Sequence, residues 1–157
     1  MLNPYAPNLG DRDPKAVIAQ TASQLSALAK KIGPLGLDRK PSPDKWSPRE
    51  ILCHLADVEA VFAFRLRQTL AQPNHVIQPF DQDAWASQYA GFTADAALHV
   101  FSSMRQWNET LIHNAPAEAF SRKVTHPERG EMTFQTIVET MAGHDLNHIQ
   151  QLEKFAA

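Results

Sequence analysis

Four times along this chain a capping residue introduces apolar side chains that return every three or four positions. That pattern commits most of the sequence to amphipathic helices, each of which must bury one face against a neighbour. The clearest case begins at Ser47-Pro48-Arg49-Glu50, a capping box with proline at the first helical position. Ile51, Leu55, Val58, Phe62, Leu66 and Leu70 then make one stripe, and the helix is predicted to run to about Ala71, ahead of Pro73-Asn74. Asp13-Pro14 starts an earlier helix bearing Val17, Ala22, Leu25, Leu28 and Ile32, which Gly33-Pro34 is expected to stop. Thr93 caps a third, with Ala97, Val100, Phe101, Met104, Trp107, Leu111 and Ile112 on its apolar side and Pro116 beyond its end. Thr133 caps a fourth through Ile137, Met141, His144, His148, Leu152 and Phe155.

The intervening segments read as connections. Residues 1–10 form an irregular lead-in, and Leu35 to Trp46 is a loop punctuated by Gly36, Pro41 and Pro43. A short helix is expected near Asp83 to Ala90. Residues 121–132, centred on Pro127-Glu128-Arg129-Gly130, carry the turn chemistry of a short hairpin. The expected fold is all-α, a four-helix bundle, with residues 1–157 forming one domain.

Composition narrows the partners. The net charge of -2 gives no global field for nucleic acid or an anionic membrane. Six of the 15 basic residues do fall between Lys30 and Arg49, where a solvated loop competes with a phosphate-binding patch. No apolar run approaches the ~18 residues of a membrane span, and no signal-peptide order is present. Cys53 is the single cysteine, which precludes an internal disulfide and fits a reducing compartment. The expectation is a cytoplasmic protein, with Cys53 as a small buried packer.

Three histidines break the apolar pattern. His144 and His148 are four residues apart on one helix face, between Met141 and Leu152, and His54 lies beside the stripe of the second helix. An imidazole on a core-facing stripe must satisfy two ring nitrogens, which costs free energy without partners. Three neutral imidazoles from two helices can hold one divalent ion and leave a position for water or substrate. Zn, Ni and Fe all accept such ligands. Ligand histidines also need acceptors for their other N–H, and Asp57, Glu59, Asp145 and Gln151 are near in sequence. His75, His99 and His113 read as solvated, and His126 as a loop histidine. His-Glu-x-x-His, paired Glu-x-x-His and Gly-x-Ser-x-Gly motifs are absent. A non-catalytic metal-binding or stress-response protein, or a structural helical dimer with core histidines, remains open on this pattern.

The combination of Trp46-Ser47-Pro48-Arg49-Glu50, His54-Leu55-Ala56-Asp57, Thr125 to Thr133 and Gly143-His144-Asp145-Leu146-Asn147-His148-Ile149-Gln150-Gln151 resembles the DinB-like superfamily from about Asp13 onward. That resemblance implies an up-down-down-up bundle and a divalent metal held by His54, His144 and His148. It further implies a metal-dependent hydrolase or thiol S-transferase acting on a small molecule, with a low-molecular-weight thiol as co-substrate in the second case, and a homodimer. It carries no implication of DNA binding. On this reading Asp57 or Asp145 orients the ligands, and Phe64, Arg65, Trp85 and Tyr89 are the candidates for shaping a substrate pocket.

Overall fold

The computed structural model describes residues 2–157. Four long helices carry the fold: α2 (Pro14–Leu37), α3 (Pro48–Ala71), α5 (Ala94–Asn114) and α6 (Phe134–Glu153). Two short ones, α1 (Ala6–Leu9) and α4 (Gln82–Ala86), precede α2 and α5. Strands β1 (Lys123–His126) and β2 (Gly130–Thr133) pair antiparallel, with Val124 opposite Met132. Both of these side chains are buried. The short connection between β1 and β2 turns at Gly130, whose φ of 87° lies in the left-handed region that favours glycine.

The caps behave as the residues dictate. The Ser47 hydroxyl accepts from Glu50 N while Glu50 Oε2 accepts from Ser47 N, closing the box at α3. Thr93 and Thr133 cap α5 and α6 through Ala96 N and Thr136 N. Gly33 is different. Its φ of 72° and ψ of 164° break the helical ladder, but the chain re-enters a further turn through Leu37. Gly33-Pro34 is therefore a kink and not the expected stop. Pro34 opens the new turn, where its missing N–H is no loss.

Named contacts fix the topology. Arg49 reaches the carbonyls of Tyr89 and Phe92, Glu59 pairs with Arg105, and Arg67 bonds Asn108. Numbers rise together along α3 and α5, so these helices are parallel. His54 meets His148 and Phe62 meets His144, so α3 and α6 are antiparallel. The bundle runs up-down-down-up, and the histidine faces of α3 and α6 are opposed.

Two departures matter for the site. On α5 the buried face is Ala97, Phe101, Arg105, Asn108 and Ile112, while Val100 and Trp107, expected inside, are 50% and 65% exposed. The inward row is polar because Arg105 and Asn108 meet buried carboxylates there. The lead-in is also structured. Tyr5 N donates to Asn3 Oδ1, and α1 packs on α6, burying Asn3 and Leu9.

Gly143 makes that docking possible. A Cβ there would lie 2.5 Å from the Tyr5 carbonyl oxygen and 2.8 Å from Tyr5 Cβ. Gly143→Ala would ordinarily gain about 1 kcal/mol of helix propensity. Here overpacking against backbone costs about 1–3 kcal/mol and outweighs it. The variant is expected to lose stability in urea and to become cleavable by protease ahead of Asp13. An equally protected, equally stable variant would contradict the contact.

Candidate metal centre

His54 comes from the second turn of α3, and His144 and His148 from successive turns of α6. All three are buried, with 2%, 4% and 5% of their surface exposed. His54 Nε2 lies 3.1 Å from His144 Nε2. One ligand atom from each of the three falls within 4.8 Å of the others. Two imidazole nitrogens bound at about 2.0–2.1 Å to one tetrahedral ion sit roughly 3.3 Å apart, so the observed approach matches a shared ion.

The hydrogen bonding agrees with that donor set. His148 Nδ1 donates to Gln151 Oε1 at 2.9 Å, which leaves Nε2 with its lone pair. His54 Nδ1 and His144 Nδ1 have no hydrogen-bond partner among the described residues. A direct N–H···N bond between the two Nε2 atoms satisfies one proton but leaves both Nδ1 atoms buried and unpaired. Among the described residues no carboxylate forms an ion pair with any of the three rings. The group is built to stay neutral, as metal ligation requires.

Electrostatics points the same way. Burial, and then the neighbouring His148, pull the pKa of His54 down to about 3. His144 falls well below the ordinary value through burial, His148 and His54. Burial lowers His148 too, with the Gln151 bond and the Asp145 charge opposing it. Each folded pKa thus lies beneath the unfolded value of about 6.5. As pH falls through that value, the unfolded chain takes up protons that the folded chain refuses. Metal-free protein should therefore lose stability as pH falls below about 6.5, with His54 contributing up to about 1.4 kcal/mol per pH unit down to about pH 3 and the other two adding in the same direction. Urea titrations at pH 7.5 and 5.0 measure the slope, and a His144→Leu variant should show a shallower one.

Of the four expected acceptors, only Gln151 reaches a histidine. Asp145 instead accepts from Arg105 Nη1 at 2.5 Å and from the Thr21 hydroxyl at 2.8 Å. Glu59 accepts from Arg105 Nη2 at 2.7 Å and from Asn108 at 2.8 Å. Asp57 accepts from the Tyr89 hydroxyl at 2.8 Å. These carboxylates hold helices together; they do not orient ligands. Neighbouring helix positions diverge by about 100°, so Asp145 turns away from the site that His144 faces.

The pocket candidates need the same correction. Phe64 is 62% and Trp85 41% exposed, Tyr89 is buried against Asp57, and Arg65 lies over Phe80. The rings that meet the trio are Trp46 on His54 at 4.7 Å, Tyr5 on His144 at 5.1 Å and Phe62 on His144 at 6.2 Å. Trp46 precedes the capping serine and Phe62 is on the α3 stripe about two turns from His54, so both had a positional signal. Tyr5 had none. His126, expected as a loop histidine, is 3% exposed on β1, with Nδ1 accepting from Glu128 N. His99 and His113 are exposed as expected, and Cys53 is a buried free thiol.

The DinB superfamily profile matches residues 18–152. The chain belongs to the DinB superfamily. An Oceanobacillus iheyensis protein named "Putative metal-dependent hydrolase OB0782" is 26% identical over 109 residues, covering 68% of this chain and 63% of that protein. The chain thus spans less than two thirds of that relative. A Bacillus cereus protein of the same descriptive name is 22% identical over 132 residues, covering 83% of this chain and 76% of its own. Among solved structures, YfiT from Bacillus subtilis superposes with a TM-score of 0.79 at 19% identity, covering 90% of this chain and 84% of YfiT. It is described as "a probable metal-dependent hydrolase with an unusual four-helix bundle topology", and the likeness shows the fold. Among the described residues no helix is long and apolar enough to cross a membrane.

Proposed function

We propose that this DinB-superfamily chain is a metal-dependent enzyme acting on a small molecule, with His54, His144 and His148 as the three ligands of one divalent ion. The observation that carries the reading is the convergence itself. Three buried imidazoles offer their nitrogens within 4.8 Å of one another, and among the described residues none of them is in an ion pair with an acid. Three neutral donors suit Zn, Ni or Fe. The ion would supply Lewis acidity, generating a nucleophile from water or a thiol near neutral pH.

The chain's own residues do the rest. Gln151 fixes the tautomer of His148. Trp46, Phe62 and Tyr5 pack around the rings and keep bulk water from them. The names of the relatives favour hydrolysis, and transfer of a low-molecular-weight thiol is the second reaction this donor set serves.

Elemental analysis of untagged protein tests the ligand assignment. Wild type is expected to hold close to one divalent ion per chain, and His54→Ala, His144→Ala and His148→Ala to lose it. Metal content unchanged in the variants would sink the assignment. Metal-dependent cleavage of esters or amides, or transfer of a thiol to an electrophile, then separates an enzyme from a metal-binding protein. Bound metal with no turnover in any of these would favour the latter.

A further inference from the structure

The histidine trio is closed to solvent, so a reactant needs a way in. A cleft of about 980 Å³ lies where α2, the loop before α3, α4 and the end of α6 meet. Its wall includes Trp46, which stacks on His54, and Gln151, which bonds His148. Trp46 and Gln151 thus stand between the cleft and the trio. A volume of this order suits a small-molecule ligand.

The lining has two parts. Ile32, Ile51, Trp46 and Phe155 supply its apolar lining, and Arg39, Lys45 and Lys154 line it together with Asp44 and Asp83. None of these three cations forms an ion pair among the described residues. The contrast with their neighbours is informative. Lys40 is tied to Glu50 and Arg49 to Asp38. Within the basic run between Lys30 and Arg49, Lys40 and Arg49 therefore brace the loop, whereas Arg39 and Lys45 face the cleft without an ion-pair partner among the described residues.

We propose that this cleft binds the non-reacting body of the substrate, and that the substrate is a small carboxylate with an apolar or aromatic body. The ring or chain lies against Trp46, Ile51 and Phe155, and the carboxylate meets Lys45, Lys154 and Arg39. The inference rests on the reading of the trio as a metal centre. It assigns the cleft's charge to recognition, since an aromatic wall beside unpaired cations matches an aromatic anion better than its neutral analogue.

Naphthalene-2-carboxylate and naphthalene-2-carboxamide share a shape and differ in charge, so calorimetric titration of the full chain with each tests the assignment. The carboxylate should bind at least about tenfold tighter than the amide, both in metal-loaded protein and after chelation, as expected for a charge-assisted contact. In the double variant Lys45→Glu/Lys154→Glu that preference should vanish, with amide affinity and bound metal unchanged. Equal binding of the two probes, no binding of either, or a preference that survives the charge reversal would overturn the proposal. A preference that appears only with metal present would place the carboxylate on the ion and overturn it equally. Loss of the metal reading alone, with the preference intact in chelated protein, would leave the cleft assignment standing.

Discussion

Replacing Arg105 with methionine should destabilise this bundle by about 3–5 kcal/mol, the range for breaking a buried ion pair by removing one partner. Arg105 is 1% exposed and carries four charge-assisted contacts, two to Glu59 and two to Asp145. Its Nη1 also donates to the Ile18 carbonyl, so one side chain joins α2, α3, α5 and α6. Burial on its own would lower the arginine pKa; the two carboxylates outweigh it and hold the guanidinium charged. Methionine fills much of the volume but leaves Glu59 and Asp145 facing each other in a dry interior. Glu59 is already held above the usual carboxylate range by burial, with Arg105 pulling it back. Without the arginine, Glu59 should be pushed further up by burial and by Asp145 and take up a proton more readily, so the variant should recover stability as pH is lowered. Urea denaturation at pH 7.5 and 5.5 reads both effects. A further triple variant, Arg105→Met with Glu59→Leu and Asp145→Leu, should regain much of the loss, because apolar replacement of a whole buried ionic group is often neutral. A loss under 1 kcal/mol for Arg105→Met would mean that water reaches this site.

That network also marks where the sequence ran out. Helix positions were legible because caps and apolar stripes are local: Ser47, Thr93 and Thr133 each accept the bond their position predicts. The histidines were legible for a related reason, since a polar ring on an apolar stripe is visible without knowing its partner. The same signal was present for Glu59 between Leu55 and Phe62, and for Arg105 between Phe101 and Ile112. It identifies a buried polar group but not what satisfies it. Partners are set by which helices adjoin, and the pairing of α3 with α5 depends on topology, so sequence proximity points Asp145 to a histidine whereas the fold gives it to Arg105. Tyr5 and the docking of α1 were invisible because they depend on one missing Cβ, at Gly143, far along the chain. The kink at Gly33 is not distinguishable from a helix end in sequence, because glycine followed by proline permits either outcome.

The second large effect has opposite signs with and without metal. In metal-free protein His144 is a liability. Its Nδ1 is buried without a partner, and its ring is crowded by His54 and His148. His144→Leu removes an unsatisfied polar group from a core that Met141 and Phe62 already line. Such a group costs about 1–3 kcal/mol, so metal-free His144→Leu should be more stable than metal-free wild type by that order. An ion that binds only the folded state reverses the ranking. At a free concentration about 1,000 times Kd it stabilises wild type by about 4 kcal/mol, and a chain lacking one ligand gains far less. Thermal melts of both proteins, chelated and with zinc added, should therefore cross: the variant melts higher without metal and lower with it. The first half of that crossing tests whether the imidazoles are held neutral and unpaired. The second half tests whether they are held for a metal. A variant less stable than wild type under chelation would show that the histidines already satisfy one another in the core. Parallel shifts in zinc would show that the ion binds elsewhere. Only the crossing fits a site whose cost in folding is recovered when the three nitrogens share one ion.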